Sequence, residues 1–389
     1  MNDDSKPRKV IVLGSTGSIG CTAMRVARDL PGEIEIVGLA AGSNHRGLAG
    51  QARETGAKHV AIFDTSAAGS LRAELPASVR VFTGPQGLID LVTEVQADVV
   101  LVSIVGTAGL APALAAIEAG RDLAVASKEI LVMAGEVVTT AAARHGVRLL
   151  PVDSEHNAVH QCLVGHDGGV DEIAKLILTA SGGPFRQASA ADLENVTPVQ
   201  ALKHPTWDMG PKITIDSATL FNKGLEMIEA RWLFGIEMHR IDVVVHPQSV
   251  IHSMVEFVDG SVIAQMSRTD MAFPIQYALT WPRRVRGGMP PLDFAALGSL
   301  TFEAPRDDVF PALGLARHAG TVGGTMPAVF NAANEVAVDA FRARKISFPG
   351  IWRTVEAVME AHQPDQTADL AIILAADAEA RRLAAEQIA

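Results

Sequence analysis

The sequence predicts an α/β protein in which an N-terminal doubly wound parallel sheet is followed by an α+β middle part and a C-terminal helical bundle. Short, almost continuously apolar segments alternate with helical patterns over roughly the first 150 residues, which is typical of a parallel sheet buried on both faces. Strand patterns with a hairpin signal come next, and Ala-rich helical sequence runs from residue 309 to the end.

The predicted elements define the domain limits. The strands of the N-terminal sheet are residues 9–13, 34–40, 59–63, 97–105, 121–126 and 147–152. The middle part has predicted strands at 174–180, 241–246, 250–257 and 261–267, with Asp259-Gly260 as a hairpin signal, and one predicted helix at 216–234. We therefore expect domains at 1–152, at 153–280 with a long irregular segment at 182–212, and at 307–389, after a Pro- and Gly-rich linker at 281–306.

Composition and charge limit the kind of ligand. The formal net charge is −11, so the surface as a whole repels nucleic acid and anionic lipid, and an anionic substrate needs a local cluster of donors. Cys21 and Cys162 form neither a metal-type pair nor a disulfide framework. The first residues contain no apolar targeting segment, and no run reaches the roughly 20 apolar residues that span a bilayer. We expect a cytoplasmic protein with no nucleic acid or membrane partner.

A glycine-rich turn separates the first strand from the first helix. Gly14, Gly17 and Gly20 allow a tight turn that brings backbone N–H groups to a pyrophosphate, which predicts a Rossmann-like dinucleotide site. The alternative is a tight turn without a ligand. The second strand ends in Gly42-Ser43-Asn44-His45-Arg46, with no acid to hold a ribose hydroxyl, and this favours NADP over NAD. Alternatively, Ser43 and Asn44 only form a turn.

Paired acids follow the last strand of the N-terminal sheet. In an extended segment Asp153 and Glu155 point the same way, and like charges this close repel unless a cation lies between them. The alternative is two solvated loop acids. Asn222, Lys223 and Glu226 share a face of the helix predicted at 216–234. Three carboxylates without Cys or suitably spaced His predict Mg²⁺ or Mn²⁺.

Several polar residues could meet an anion near these acids. Ser217 is near the start of the predicted helix, where free N–H groups suit a phosphate, and Ser181 could add a hydroxyl or simply begin a loop. For Lys223 and Glu226, and also for Lys128 and Glu129, the alternative is an ordinary surface ion pair. The long segment carries His204, Trp207 and Met209, in which the two large side chains form either a local plug or a lid.

Seven motifs together resemble the 1-deoxy-D-xylulose 5-phosphate reductoisomerase family over almost the whole chain. They are GSTGSIG, ASKEILVMAG, PVDSEHNAVHQ, TASGGPFR, HPTWDMGPKITIDSATLFNKGLEMIEA, VVVHPQSVIHSMVEF and FNAANEVAV. The resemblance implies a homodimeric enzyme of isoprenoid precursor biosynthesis that uses NADPH and Mg²⁺, Mn²⁺ or Co²⁺. Its substrate would be a small phosphorylated keto-sugar, which is rearranged and reduced to 2-C-methyl-D-erythritol 4-phosphate.

The resemblance also assigns roles to individual residues. Metal ligands would be Asp153, Glu155 and Glu226, and phosphate ligands Ser181, Ser217, Asn222 and Lys223. Lys128, Glu155 and His204 would act in catalysis, with Ser154, Trp207, Met209 and Glu226 also meeting substrate. Cofactor contacts would be Thr16, Gly17, Ser18, Ile19, Gly42, Ser43 (from the turn sequence itself), Asn44, Ser127, Glu129 and Gly210. Ser127 and Ala272 depart from the residues common in the family, Asn and Arg.

Two other functions stay open at this point. A different NADP-linked sugar or semialdehyde dehydrogenase would work without a divalent ion. A regulator that only senses NADP would bind NADPH without oxidising it.

Overall fold

The computed structural model describes residues 6–207, 209–367 and 369–388. The strands are β1 Arg8–Leu13, β2 Ile34–Ala41, β3 His59–Ile62, β4 Arg80–Thr83, β5 Val99–Val102, β6 Asp122–Val125, β7 Leu149–Pro151, β8 Ile173–Ala180, β9 Ile241–Val245, β10 Ile251–Phe257 and β11 Val262–Met266. The α-helices are α1 Ser18–Asp29, α2 His45–Thr55, α3 Ala68–Glu74, α4 Gly84–Glu94, α5 Leu110–Glu118, α6 Lys128–His145, α7 Ser154–Cys162, α8 Ala190–Leu193, α9 Pro198–Ala201, α10 Pro211–Thr219, α11 Phe221–Phe234, α12 Ala272–Thr280, α13 Phe294–Leu297, α14 Ala312–Val322, α15 Met326–Arg342, α16 Gly350–Ala361 and α17 Leu370–Ile388.

The chain divides into two compact units, each made of several segments. The first comprises the described residues of Met1–Ile130, Val138–Asn157 and Asp270–Pro291. The second comprises the described residues of Leu131–Val137, Ala158–Thr269 and Leu292–Ala389. The domain limits expected from the sequence stay a prediction, and the predicted absence of a targeting segment concerns in part residues 1–5, which lie outside the described residues.

The first unit is built on a seven-stranded sheet that is parallel throughout. The strand order is β4-β3-β2-β1-β5-β6-β7, so the order reverses at β1, which lies between β2 and β5. Residues 10–13 of β1 have no exposed surface, as a central strand covered on both faces requires. The predicted doubly wound sheet is confirmed, and β1 ends at the point where such folds bind ligands.

Strand β4 was not among the strands predicted from the sequence. It lies at the edge of the sheet, and of its four residues only Phe82 is buried. Prediction relied on runs of buried apolar residues, and a short edge strand with Arg80 and Thr83 at its ends lacks that pattern.

The second unit contains a four-stranded sheet of mixed direction. Its order is β11-β10-β8-β9, in which β8 pairs parallel with β9 and antiparallel with β10. The predicted hairpin joins β10 to β11: Gly260 has a φ of 84°, and the Asp259 carboxylate accepts a hydrogen bond from Ser261 N at 2.9 Å. A left-handed residue at this position favours glycine, so the local sequence was sufficient to predict the turn.

The C-terminal part is helical, as predicted, and α15 packs against α14, α16 and α17. Its Phe330 and Phe341 are among the largest fully buried side chains, and Phe348 packs edge-on against Phe341 with 5.5 Å between ring centroids. Within the described residues, we find no helix that combines the length and the apolar character needed to cross a bilayer.

The single helix predicted over 216–234 is wrong, because the segment forms two helices. α10 ends at Thr219, α11 begins at Phe221, and Leu220 between them has a φ of 65°. A left-handed non-glycine residue costs about 1–2 kcal/mol, and no Gly or Pro marks the break in the sequence. Ser217 therefore lies in the last turn of α10 rather than near the start of a longer helix.

The acids after β7 are also arranged differently from the prediction. Asp153 precedes α7 and Glu155 lies in its first turn, so the segment is not extended. The Asp153 carboxylate accepts a hydrogen bond from Glu155 N at 3.2 Å, as a side chain does when it satisfies a free N–H at a helix start. This local bond explains why the chain turns into a helix here.

The long segment at 182–212 is less irregular than predicted. It contains the short helices α8 and α9 and the first residues of α10. Side chains cap both short helices: Ser189 Oγ accepts a hydrogen bond from Asp192 N, and Gln200 Oε1 accepts one from Thr197 N. Asp208, within the motif quoted for this segment, lies outside the described residues.

Candidate active site

The glycine-rich turn of the first unit has the geometry that a dinucleotide pyrophosphate requires. Gly14 follows β1 with a φ of 85°, and a Cβ there would lie 2.5 Å from Ser103 O. A Cβ at Gly20 would lie 2.4 Å from Gly14 O, so the helix packs directly on the turn. Gly17 and Ser18 are exposed at the start of α1, which leaves the first helical N–H groups accessible to an anion.

The end of β2 carries polar residues and no acid. Asn44 caps α2 by accepting a hydrogen bond from Gly47 N at 3.0 Å, so the turn that the sequence left as an alternative does form. Ser43 and Arg46 are exposed beside it. The turn and a role in cofactor binding are compatible, because the bond to Gly47 uses the side-chain oxygen of Asn44 and leaves its amide N–H groups.

Lys128 and the paired acids meet at the ends of neighbouring strands β6 and β7. Lys128 is only 7% exposed and its ammonium is paired with the Asp153 carboxylate, so the alternative of a surface ion pair is wrong for this lysine. Ser154 Oγ donates to Glu155 Oε2 at 2.7 Å. The first unit therefore presents two adjacent carboxylates, a buried cation and a hydroxyl.

Three further predicted cofactor contacts lie outside the glycine-rich turn and the end of β2. Ser127 is buried, and its hydroxyl donates to Ile104 O at 2.6 Å, so its side chain already has a structural partner. Glu129 lies in the first turn of α6, and Gly210 precedes α10 in the second unit.

His204 joins two hydroxyls in the second unit. Its Nε2 lies 3.0 Å from Ser181 Oγ and 3.0 Å from Ser217 Oγ. Its Nδ1 accepts hydrogen bonds from the backbone N–H groups of Trp207, at 2.9 Å, and Thr206, at 3.2 Å. The structure therefore makes His204 the centre of a polar cluster.

The hydrogen bonds of His204 determine which of its ring nitrogens carries the proton. Because Nδ1 accepts from two amides, the neutral ring carries its proton on Nε2 and donates it to the serine oxygens. Burial lowers the pKa of His204, which favours this neutral form. Ser181 Oγ also accepts from Gly183 N at 3.2 Å, so both of its lone pairs are used and its O–H is left to donate. Two hydroxyls oriented in this way suit an anionic ligand.

Helix α11 supplies the third group of predicted residues. Glu226 accepts from Asn222 Nδ2 at 2.6 Å and lies 2.5 Å from Lys223 Nζ. Lys223 is 4% and Glu226 1% exposed, so the exposed surface pair is wrong here as well. The shared face predicted for the three residues is confirmed by these bonds. A charged pair this deeply buried is a candidate functional site.

Trp207 and Met209 lie beside His204 in the described part of the long segment. Both are half-buried, and the Trp207 ring lies 6.3 Å from the ring of His252, centroid to centroid. His252 is itself only 4% exposed. Sequence reasoning did not single it out, although its position on a strand next to Ser253 could have marked it as a polar residue inside the sheet.

Family models match most of the chain. The model described as 1-deoxy-D-xylulose 5-phosphate reductoisomerase matches residues 10–135, its C-terminal domain model matches 149–234, and the DXP reductoisomerase C-terminal domain model matches 266–383. Relatives of the same name are 54% identical over 97% of this chain and 98% of theirs in Symbiobacterium thermophilum, and 51% identical over 98% and 97% in Anaeromyxobacter sp..

Solved structures agree in fold over the same length. The 1-deoxy-D-xylulose 5-phosphate reductoisomerase from Zymomonas mobilis, in complex with NADPH, is 44% identical with a TM-score of 0.93, covering 98% of this chain and 99% of that one. A DOX-P reductoisomerase in complex with NADPH, fosmidomycin and magnesium is 40% identical with a TM-score of 0.91, covering 98% of both chains.

Proposed function

Because the chain belongs to the 1-deoxy-D-xylulose 5-phosphate reductoisomerase family, we propose that it converts 1-deoxy-D-xylulose 5-phosphate to 2-C-methyl-D-erythritol 4-phosphate. NADPH is the reductant, a divalent cation is required, and the product serves isoprenoid precursor biosynthesis by the non-mevalonate route. The observation that carries this proposal within the structure is the cluster of Ser181, His204 and Ser217, a neutral group of donors suited to a sugar phosphate.

NADPH binds the first unit. The glycine turn and the free start of α1 receive the pyrophosphate, with Thr16, Gly17, Ser18 and Ile19 as contacts, and Gly42, Ser43 and Asn44 lie toward the adenosine ribose. Arg46, which is exposed one residue into α2, supplies the positive charge that a 2′-phosphate needs. Ser127, Glu129 and Gly210 complete the proposed contacts.

The phosphate of the substrate binds the second unit. Ser181 and Ser217 direct their hydroxyl protons to it, while Asn222 and Lys223 add an amide and an ammonium. Because Lys223 is buried, its attraction for an anion is little screened by solvent. This compensates locally for the negative charge of the whole chain.

Asp153, Glu155 and Glu226 would hold the divalent cation, since their three carboxylates form a group of the kind that could hold a metal ion. The donor set fits, because hard oxygen ligands without Cys suit Mg²⁺ or Mn²⁺. In this structure Lys128 is paired with Asp153 and Lys223 with Glu226, so the negative charges are already partly neutralised. When bound, the ion would supply Lewis-acid chemistry to the substrate oxygens.

The remaining residues act on the sugar. Lys128, Ser154, Glu155 and His204 contact its oxygens, with the buried Lys128 ammonium stabilising negative charge that develops there. His204 keeps a proton on Nε2 and holds the two serines in place. Trp207 and Met209 belong to a flap that closes over the substrate and excludes water, and phosphate binding provides the energy for closure.

Two further features concern assembly and location. The edge strand β11 exposes Val262 and Ile263, at 49% and 47%, and an apolar edge of this kind supports association with a second copy. The protein is therefore proposed to be a homodimer. Cys21 and Cys162 are both free thiols, which supports a reducing, cytoplasmic location.

The experiment that tests the proposal follows NADPH absorbance with 1-deoxy-D-xylulose 5-phosphate, with and without Mn²⁺. We expect oxidation of NADPH only when both sugar phosphate and ion are present. Oxidation that survives EDTA would instead identify a metal-independent dehydrogenase, and binding of NADPH without any oxidation would identify a regulator.

A further inference from the structure

A buried polar pair connects the C-terminal helices to the cluster around His204. Asp216 precedes Ser217 on α10 and is 1% exposed. One of its carboxylate oxygens accepts a hydrogen bond from Asn334 Nδ2 on α15 at 2.9 Å, and the other lies 2.6 Å from Lys212 Nζ. We propose that Asn334, acting through Asp216, is a positioning residue that fixes the phosphate-binding hydroxyl of Ser217. This inference rests on the proposed function.

The last turn of α10 requires a contact with another element to hold its position. It ends at Leu220, whose left-handed backbone is unfavourable for a branched side chain and persists only where the surroundings hold it. Within the helix, the Thr219 hydroxyl stabilises this last turn. Its Oγ1 donates to Ile215 O at 3.0 Å and lies 3.2 Å from Asp216 O. These bonds stay within the helix, so they cannot set its direction relative to His204.

The bond from Asn334 is different in kind, because it joins Asp216 to another element, 118 residues away in the chain. α15 is the buried helix of the C-terminal part, so Asn334 is held by its own packing and has no exposed surface. A buried carboxylate requires its donors. If Asn334 is removed, Asp216 must shift toward Lys212 or toward water, and Ser217, the next residue, moves with it away from His204 Nε2.

The test uses the full-length enzyme with Mn²⁺ and the variant Asn334→Ala. Substrate KM should rise about tenfold, a change of the size seen when residues within one polar network are uncoupled. The kcat should change less than about threefold and the KM for NADPH should not change, because the proposed catalytic residues Lys128 and Glu155 and the glycine-rich turn belong to the first unit. A general loss of folding would instead lower kcat and affect both substrates.

The matched control is Asn331→Ala. Asn331 lies almost one turn earlier on α15, is equally buried, and donates to Glu335 of its own helix at 3.0 Å. Its removal should leave the KM for the sugar phosphate unchanged. If Asn331→Ala raises KM as much as Asn334→Ala, or if Asn334→Ala leaves KM unchanged, the positioning role is wrong.

Exchanging the carboxylate and the amide between positions 216 and 334 tests the positioning role independently if Asn334→Ala fails to fold. Asn334→Asp places a second carboxylate against Asp216 and should raise the KM strongly, since the two charges repel. Adding Asp216→Asn restores one carboxylate and one amide in exchanged positions, and KM should return to within about threefold of the wild-type value. Failure of this recovery overturns the inference, whereas a wild-type protein that does not oxidise NADPH with the sugar phosphate overturns the proposed function instead.

Discussion

Lys223→Ala is the change from which we expect the clearest effect on substrate binding. The lysine is 4% exposed and its ammonium lies 2.5 Å from Glu226 Oε2. Its removal takes away the only full positive charge among the four proposed phosphate ligands. The hydroxyls of Ser181 and Ser217 and the amide of Asn222 remain.

The magnitude follows from the kind of bond that is lost. A hydrogen bond to a charged group contributes about 1.5–3 kcal/mol, and each 1.4 kcal/mol is tenfold. The KM for 1-deoxy-D-xylulose 5-phosphate should therefore rise about 10- to 150-fold. The variant should also unfold at a lower temperature, because the buried Glu226 carboxylate loses its ammonium, and breaking a buried pair costs about 3–5 kcal/mol.

The assay is steady-state oxidation of NADPH at saturating Mn²⁺, with melting temperature measured alongside. Lys175→Ala in the same unit is the control: its pair with Asp242, at 3.1 Å, is exposed on both sides, so neither KM nor melting temperature should change. A folded Lys223→Ala protein with a KM for the sugar phosphate within twofold of the wild type would refute the reasoning, because the phosphate would then bind elsewhere.

Three other changes test separate parts of the site. Glu226→Gln keeps the shape of the side chain and removes its charge, so turnover should fall about 100-fold while the Kd for NADPH stays constant; unchanged turnover would remove Glu226 from the metal site. Arg46→Ala should raise the KM for NADPH about tenfold and leave that for NADH as it was, and an equal effect on both cofactors would argue against a 2′-phosphate contact. The lowered pKa of His204 means that the unfolded chain, with an ordinary histidine pKa near 6.5, takes up more protons below that pH. The free energy of unfolding should thus fall as pH drops from about 7 to about 5, and His204→Gln should flatten that dependence in melts across this range.

The sequence was a good guide where the residues of a turn determine the local backbone conformation. Gly14 lies between an apolar strand and a helix, as the pattern predicted, and the structure places it at the reversal of strand order. Asp259-Gly260 likewise predicts a hairpin from the turn residues alone. In both places the backbone conformation is one that glycine adopts at little cost.

Prediction failed where packing between distant parts of the chain determines the burial or the contacts of a residue. Nothing around Lys128 or Lys223 in the sequence shows that either would be buried, because burial depends on elements that lie far away in the chain. The prediction of an extended segment at Asp153-Ser154-Glu155 overlooked a local helix signal, since Asp and Ser are preferred at the start of helices. The contact between Asn334 and Asp216 could not have been found from spacing, as 118 residues separate them.

The break at Leu220 bears on the proposal that Ser217 and Lys223 bind one phosphate. In a continuous helix, six residues correspond to about 9 Å of rise and leave the two side chains about 120° apart around the axis, so they would face different ligands. The left-handed residue ends α10 after Thr219 and starts α11 in a new direction. The predicted single helix and the predicted shared phosphate were therefore incompatible with each other. The left-handed backbone of Leu220 thus lies where the proposed phosphate site requires a change of direction, and strained backbone of this kind is often found at functional sites.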